Sequence, residues 1–246
     1  GIGQTHGQRD CDDDPDDRLA HITMLLSSSM RAVADTTRSS DAHRVAFASA
    51  IGTTIEWYDF FIYGTAAATV FAPQFFPQAS DFVGRLTSFA TFGVGFLARP
   101  LGGVVMGHFG DRVGRKSMLV WSLLLMGCST LGIGLLPDYS QIGVWAPALL
   151  IALRLVQGFA LGGEWGGAVL MSVEHAPDGR RGFYGSVVAL GLPLGIVLSN
   201  AVFLISSVLV DPAAFLAWGW RVPFLASAIL IAVGLFIRLG LGESPV

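Results

Sequence analysis

Long apolar stretches fill most of the chain after residue 44, and short polar segments separate them. There are six such runs, at about 45–71, 86–109, 117–136, 144–170, 184–210 and 219–241. Each is close to or above the roughly 20 residues that a helix needs to cross a bilayer. The pattern therefore predicts an all-α membrane protein with six transmembrane helices.

The composition agrees with this class. Of 246 residues, 52% are hydrophobic and only 13% are charged, and the mean hydropathy is +0.61, whereas about 25% of a typical soluble domain is charged. The 31 glycines suit membrane helices, because small residues let helix backbones approach closely. The two cysteines, Cys11 and Cys128, provide neither a disulfide framework nor a metal-ligand spacing, so no metal site is predicted.

Basic residues are concentrated in alternate loops. They are Arg31, Arg38 and Arg44 before the first run, Arg112, Arg115 and Lys116 after the second, Arg180 and Arg181 after the fourth, and Arg238 at the end of the last. The intervening loops contain only Arg85 and Arg221. Because cytoplasmic loops carry the excess of Lys and Arg, we expect a multi-pass protein of the inner or plasma membrane with both termini in the cytoplasm.

Residues 1–44 form a polar segment that precedes the apolar part, 45–246. The stretch DCDDDPDD at 10–17 supplies six Asp, which accounts for much of the net charge of −3. The segment lacks helical periodicity and is predicted to be a disordered cytoplasmic tail. An alternative interpretation places the natural start at Met24 or Met30.

The arrangement of charges repeats after three helices. Charged loops follow the second and fourth runs, and the first and fourth runs each contain ionisable residues deep within them. An odd number of helices per repeat inverts the topology of the second copy. Nested inverted repeats of three helices are a feature of major facilitator transporters.

Several motifs strengthen this resemblance. GHFGDRVGRK at 107–116 is similar to the signature between the second and third helices of the major facilitator superfamily. Four further stretches resemble its metabolite:proton symporter branch: IEWYDFFIYG, ARPLGG, RLVQGFALGGEWGGAVLMSVEHAP and ESP. The resemblance implies that 45–246 is the N-terminal half of a twelve-helix fold, built from two inverted three-helix repeats.

The resemblance also implies a function. We expect proton-coupled symport of a small organic acid or zwitterionic metabolite by alternating access, driven by the proton gradient and without a cofactor. The expected partners are the solute, protons, the lipid bilayer and a C-terminal half or second chain, and no nucleic acid. A truncated, non-transporting half or a membrane sensor remains an alternative.

Two carboxylates lie inside the first apolar run. Glu56, Asp59 and Tyr63 are spaced i, i+3 and i+7, which places them on one helix face. An ionisable group in a membrane is costly unless it is paired or reached by water. By resemblance Asp59 is the proton-coupling residue, and Glu56 is either a second proton site or a polar wall. Arg154 is predicted at a similar depth as the partner of Asp59, with a purely structural ion pair as the alternative.

Four residues are predicted to contact the solute: Arg154, Gln157, Arg99 and Tyr63. A guanidinium group suits a carboxylate because its planar fork can donate two parallel hydrogen bonds. Arg99 has an alternative role, which is to pair with an acid such as Glu56. Gly158, Gly162 and Gly166 recur every four residues after Arg154, and this spacing indicates a helix-packing face.

A cytoplasmic gate is predicted around the second loop. Its residues are Gly107, Asp111, Arg112, Gly114, Arg115, Lys116 and Glu174. In the superfamily, the Asp that matches Asp111 docks on a helix of the other half and latches the outward-open state. The alternative is an ordinary positively charged loop.

The sequence argues against an enzyme. An intramembrane serine protease needs a nucleophile and a base at a common depth, and Ser186 and Ser199 are available, but no His lies deep in an apolar run. The HExxH motif of zinc peptidases does not occur.

Overall fold

Helices make up all the regular secondary structure in the part of the chain that the structure describes. The computed structural model describes residues 15–162, 164–177 and 179–239. The α-helices are α1 Pro15–Thr69, α2 Phe71–Phe75, α3 Asp81–Val113, α4 Arg115–Leu135, α5 Tyr139–Ile142, α6 Trp145–Gly162, α7 Glu164–Glu174, α8 Arg181–Ala189, α9 Gly191–Leu209, α10 Pro212–Ala214 and α11 Arg221–Leu239, and a π-helix covers Phe215–Gly219. A helical fold is expected in a membrane because helices satisfy their own backbone hydrogen bonds.

Four helical segments in the described residues are long and apolar enough to cross a bilayer. They are Asp81–Val113, Lys116–Leu135, Trp145–Gly162 and Arg181–Leu209. A fifth is possible if Pro212–Gly219 and Arg221–Ile237, which meet at 49°, form one span. The predicted first run, 45–71, lies within α1 up to Thr69 and is not among these segments. That run contains Glu56, Asp59 and several Thr and Tyr residues, which lower its hydropathy.

The helix bounds differ from those predicted at several places. The predicted helix 144–170 is covered by α6 and α7, with residue 163 outside the described residues, whereas the predicted helix 184–210 is divided into α8 and α9 at Leu190. This division has a local cause, since Pro193 has no N–H to donate to the carbonyl of Ala189, where α8 ends. Helix α1 starts at Pro15, so residues 15–44 are helical rather than a disordered tail. Residues 1–14 of that tail lie outside the described residues.

Helices α3 and α6 approach so closely that their contact has no room for side chains. A Cβ at Gly158 would overlap the carbonyl oxygen of Gly95, and one at Gly162 would overlap that of Arg99. A Cβ at Gly102 would likewise overlap the carbonyl oxygen of Phe159. The predicted packing role is therefore confirmed for Gly158 and Gly162, whereas the surroundings of Gly166 lie outside the described part.

Helix α1 is packed against α9 and α11. A Cβ at Gly191 would lie 2.6 Å from Cβ of Thr53, and one at Gly195 would lie 2.5 Å from Cβ of Trp57. On the side of α11, the buried hydroxyl of Tyr58 donates to the carbonyl oxygen of Pro223 at 2.8 Å. These contacts hold the stretch of α1 that carries Glu56 and Asp59 in the interior of the bundle.

A single residue joins α3 to α4. Gly114 has φ 104° and ψ 137°, and its N–H donates to the carbonyl oxygen of Gly110 at 3.1 Å. The connection between the second and third helices is therefore much shorter than the signature stretch 107–116, because α3 continues to Val113. Only glycine adopts this backbone conformation without strain.

We predict that Gly114→Ala destabilises the fold by about 1–3 kcal/mol, the usual cost of a strained backbone conformation. Thermal unfolding of the purified protein in detergent measures the change. Gly107→Ala is the matched control, because Gly107 is helical and nothing lies within 4 Å of its added methyl. Equal unfolding temperatures for the two variants would contradict the assigned strain.

Candidate functional site

A group of buried polar side chains lies in the interior, between α1, α3, α4 and α6. The exposed fraction is 0% for Asp59, Tyr63 and Thr130, 1% for Arg154 and 2% for Gln157. Buried polar groups are costly unless they find partners, and ionisable residues inside a membrane usually mark a solute or proton pathway. This group is therefore the candidate site.

The helices position these residues by simple periodicity. Glu56, Asp59 and Tyr63 are all buried on the continuous helix α1, as their spacing predicted. Arg154 and Gln157 are three residues apart on α6 and therefore share a face. On α3, Gly95 makes room for the arginine, because a Cβ there would lie 2.7 Å from Nε of Arg154.

Aromatic rings surround the guanidinium group of Arg154. Its Cζ lies 4.2 Å from the ring centroid of Tyr63, 4.8 Å from that of Phe60 and 4.9 Å from that of Phe92. Nη1 donates to Oε1 of Gln157 at 2.6 Å, while Nε and Nη2 are buried and have no hydrogen-bond partner in the part of the chain that the structure describes. Ring faces attract cations, so the charge is stabilised while two donor nitrogens stay available.

Arg99 approaches the same aromatic cluster from α3. Its Cζ lies 4.7 Å from the ring centroid of Phe96, 4.8 Å from that of Phe60 and 5.6 Å from that of Trp57. Arg99 also interacts electrostatically with Glu56. The ring of Phe60 is thus shared by both guanidinium groups, and the structure brings Arg99 and Glu56 together as the alternative role for Arg99 anticipated.

The predicted direct pairing of Asp59 with Arg154 is not formed in this structure. Both carboxyl oxygens of Asp59 lack a hydrogen-bond partner among the described residues. The arginine instead donates to Gln157 and lies over aromatic rings. Asp59 lies beside the hydroxyl of Thr130, but that hydroxyl donates to the carbonyl oxygen of Met126 at 3.0 Å.

Tyr63 is fixed by hydrogen bonds of its own. Its hydroxyl donates to Oγ1 of Thr91 at 2.7 Å, and the Thr91 hydroxyl donates to the carbonyl oxygen of Ser88 at 2.6 Å. The chain of bonds holds the tyrosine ring of α1 against α3. Tyr63 therefore presents its ring face, rather than its hydroxyl, to Arg154.

Apart from Glu174, the predicted gate residues lie on the last turns of α3, at Gly114 or on the first turn of α4. Gly107, Asp111 and Arg112 are exposed on the last turns of α3. Nζ of Lys116 donates to the carbonyl oxygen of Leu239 at 3.1 Å, which ties α4 to the end of α11. Glu174, at the end of α7, is half-buried. The side chain of Arg115 lies outside the described part of the chain.

Three residues at the site were not predicted from the sequence: Thr130, Phe60 and Phe92. Thr130 is a polar residue in the middle of the apolar run 117–136, and that position is the signal that could have identified it. The two phenylalanines carry no comparable signal, because aromatic residues are common in any buried helix.

Solved structures share this fold. The proton:xylose symporter XylE of the major facilitator superfamily, bound to 6-bromo-6-deoxy-D-glucose, matches with a TM-score of 0.74 and 19% identity over 85% of this chain and 46% of that one. A partially occluded, inward-open structure of XylE from E. coli matches with a TM-score of 0.71 and 18% identity over 83% and 50%. The predicted major facilitator fold is therefore confirmed.

The family model for Sugar (and other) transporters matches residues 45–246, so the chain belongs to this family. The Shikimate transporter of Escherichia coli (strain K12) is 53% identical over 83% of this chain and 47% of its own length. The Inner membrane metabolite transport protein YhjE of the same strain is 54% identical over 83% and 46%, and its Proline/betaine transporter is 43% identical over 80% and 39%. These relatives are transporters rather than enzymes, as predicted, and the chain spans about half of their length or less.

We predict that Gly95→Ala displaces the Arg154 side chain, because the added methyl would overlap Nε. Overpacking of this kind typically costs about 1–3 kcal/mol. Thermal unfolding in detergent measures the cost. The matched control is Gly93→Ala on the same helix, where nothing lies within 4 Å of an added Cβ. If both variants unfold at the wild-type temperature, Gly95 does not shape the space around the arginine.

Proposed function

We propose that this chain is the N-terminal, six-helix half of a proton-coupled symporter that carries a small organic acid or zwitterionic metabolite by alternating access. The observation that carries the proposal is the interior site, where a carboxyl group and a guanidinium group are both buried and both retain unused hydrogen-bonding atoms. Groups held in this way can still take up a proton and an anion.

The solute is proposed to bind through its carboxylate. Arg154 offers Nε and Nη2, and Arg99 offers the same two atoms, all of them buried without a hydrogen-bond partner among the described residues. A guanidinium fork matches a carboxylate in geometry and charge. Shikimate, proline and betaine, the solutes in the names of relatives, each contain a carboxylate. Gln157 orients Arg154, and Tyr63 supports it from the ring face.

Asp59 is proposed to carry the proton. Its side chain is fully buried, and neither oxygen accepts a hydrogen bond from a described residue. An ionised carboxylate in such surroundings is costly, and protonation removes that cost. Glu56 is proposed as the polar wall beside Arg99, with which it interacts electrostatically. Proton uptake at Asp59 and solute binding at Arg154 then occur in one interior space.

The second half of the site is proposed to come from a C-terminal half or a second chain, since the relatives are about twice as long. Asp111 and the residues around it, exposed at the end of α3, are proposed to contact that half as a cytoplasmic gate. The termini are proposed to be cytoplasmic, because the loops with most Arg and Lys belong on that side.

We predict that Asp59→Asn abolishes uphill accumulation of shikimate in the complete transporter but spares counterflow. Asparagine is a permanent mimic of the neutral acid, and counterflow exchange needs no net proton movement. The two activities are measured in proteoliposomes with and without a pH gradient. Glu56→Gln is the matched control, and it should still accumulate solute. If Asp59→Asn also accumulates solute against its gradient, Asp59 is not the coupling residue and Glu56 becomes the candidate.

We predict that Arg154→Lys weakens the binding of a carboxylate solute by about tenfold to a hundredfold. Lysine keeps the charge but loses the planar fork, and a charge-assisted hydrogen bond is worth about 1.5–3 kcal/mol. Equilibrium binding of labelled shikimate to the purified transporter measures the change. Arg85→Lys is the control, because Arg85 is exposed near the start of α3. Wild-type affinity in Arg154→Lys would remove this arginine from the solute site.

A further inference from the structure

Three side chains form a continuous chain of hydrogen bonds between α6 and α4. Nη1 of Arg154 donates to Oε1 of Gln157 at 2.6 Å, and Nε2 of Gln157 donates to Oγ1 of Thr130 at 2.8 Å. The Thr130 hydroxyl, at the end of this series, is near enough to the carboxyl group of Asp59 on α1 to interact with it, although no hydrogen bond joins the two groups in this structure. This series of hydrogen bonds thus connects Arg154, the proposed solute-binding residue, with Asp59, the proposed proton carrier, although the two are not hydrogen-bonded to each other.

The hydroxyl of Thr130 has one hydrogen and two lone pairs. Its hydrogen is directed to the carbonyl oxygen of Met126 at 3.0 Å, and one lone pair accepts from Gln157. The second lone pair is therefore available to a protonated Asp59, which is a donor. An ionised Asp59 is an acceptor only. It can accept a hydrogen bond from the Thr130 hydroxyl once that hydroxyl no longer donates to the carbonyl oxygen of Met126.

When the Thr130 hydroxyl turns from the Met126 carbonyl to Asp59, no backbone group is left without a partner. Met126 and Thr130 are four residues apart within α4, so the Met126 carbonyl also accepts the helical N–H of Thr130. The other end of the chain is equally constrained, because the Gln157 amide uses its oxygen for Arg154 and its nitrogen for Thr130. Hydrogen bonds in such a series polarise one another, so the charge of Asp59 affects the donor strength at Arg154.

We propose that Thr130 is a positioning residue whose hydroxyl changes its hydrogen-bond acceptor from the Met126 carbonyl to the Asp59 carboxylate when Asp59 loses its proton, and so links the charge of Asp59 to Arg154 through Gln157. This inference rests on the proposed function, because it needs a proton at Asp59 and a solute at Arg154. Coupling between two sites requires an element with two arrangements that both sites bias, and in this proposal the Thr130 hydroxyl is that element, with Asp59 on one side and Gln157, the partner of Arg154, on the other.

Three variants test the role of the Thr130 hydroxyl separately from that of the rest of the side chain and of neighbouring residues. Thr130→Val removes it with little change of shape, and Thr130→Ser restores it. Ser129→Ala is the matched control, since Ser129 is the preceding residue, is also buried, and donates to the carbonyl oxygen of Leu125 at 2.7 Å in the same i to i−4 arrangement. A general need for a buried hydroxyl in α4 would affect Ser129→Ala and Thr130→Val equally.

The first test is infrared spectroscopy of the full-length protein in lipid, which needs no solute. The carboxylic C=O band of protonated Asp59 is identified as the band that disappears from the spectrum of Asp59→Asn. We expect Thr130→Val to shift this band to higher frequency, because the acid loses its acceptor, while Thr130→Ser and Ser129→Ala leave it close to the wild-type position. An unshifted band in Thr130→Val overturns the inference. Absence of any Asp59 band overturns both the inference and the proposed proton carrier.

The second test compares accumulation and counterflow of shikimate in proteoliposomes. We expect Thr130→Val to lower the accumulation ratio by about tenfold, a typical size for coupling between two sites, with counterflow retained and with rescue by Thr130→Ser. Wild-type accumulation in Thr130→Val overturns the inference but leaves the proposed function intact. If the wild-type protein does not carry shikimate, the proposed solute is wrong, and the infrared result alone decides the role of Thr130.

Discussion

The close contact between α3 and α6 determines the rest of the interior. Where the two helices cross, Gly102, Gly158 and Gly162 face a neighbouring backbone with no space for a Cβ. In a membrane, where lipid tails are as apolar as the side chains, such close packing is a main source of helix association. The crossing also places Arg99 of α3 and Arg154 of α6 on the same aromatic ring, that of Phe60.

Aromatic rings surround the guanidinium groups of Arg154 and Arg99. Each guanidinium carbon lies within 6 Å of three ring centroids, and Phe60 contributes to both sets. A close ion pair would satisfy the charge but occupy the donors, and buried pairs often contribute little net stability. Ring faces stabilise the cation of Arg154 while its Nε and Nη2 have no hydrogen-bond partner among the described residues. This arrangement suits a site that must receive an anion and then release it.

Much of this site could be predicted from the sequence, and the reasons for the misses are physical. Glu56, Asp59 and Tyr63 were found because helical spacing alone places them on one face. The direct contact of Asp59 with Arg154 was inferred from depth, which does not reveal that Arg154 donates to Gln157 and lies over aromatic rings instead. The fifth run is divided at Leu190 because Pro193 lacks the N–H that would continue the helix. Apolar composition alone predicts an unbroken helix there.

The single residue between α3 and α4 has a mechanical consequence. Val113 and Arg115 are two Cα–Cα steps apart, so the adjoining ends of these two helices can separate by at most about 7 Å. Arg99 on α3 and Thr130 on α4 therefore lie on two helices that share one short tether, and both helices pack against α6. A displacement of the last turn of α3 by more than the length of this tether must also displace the first turn of α4.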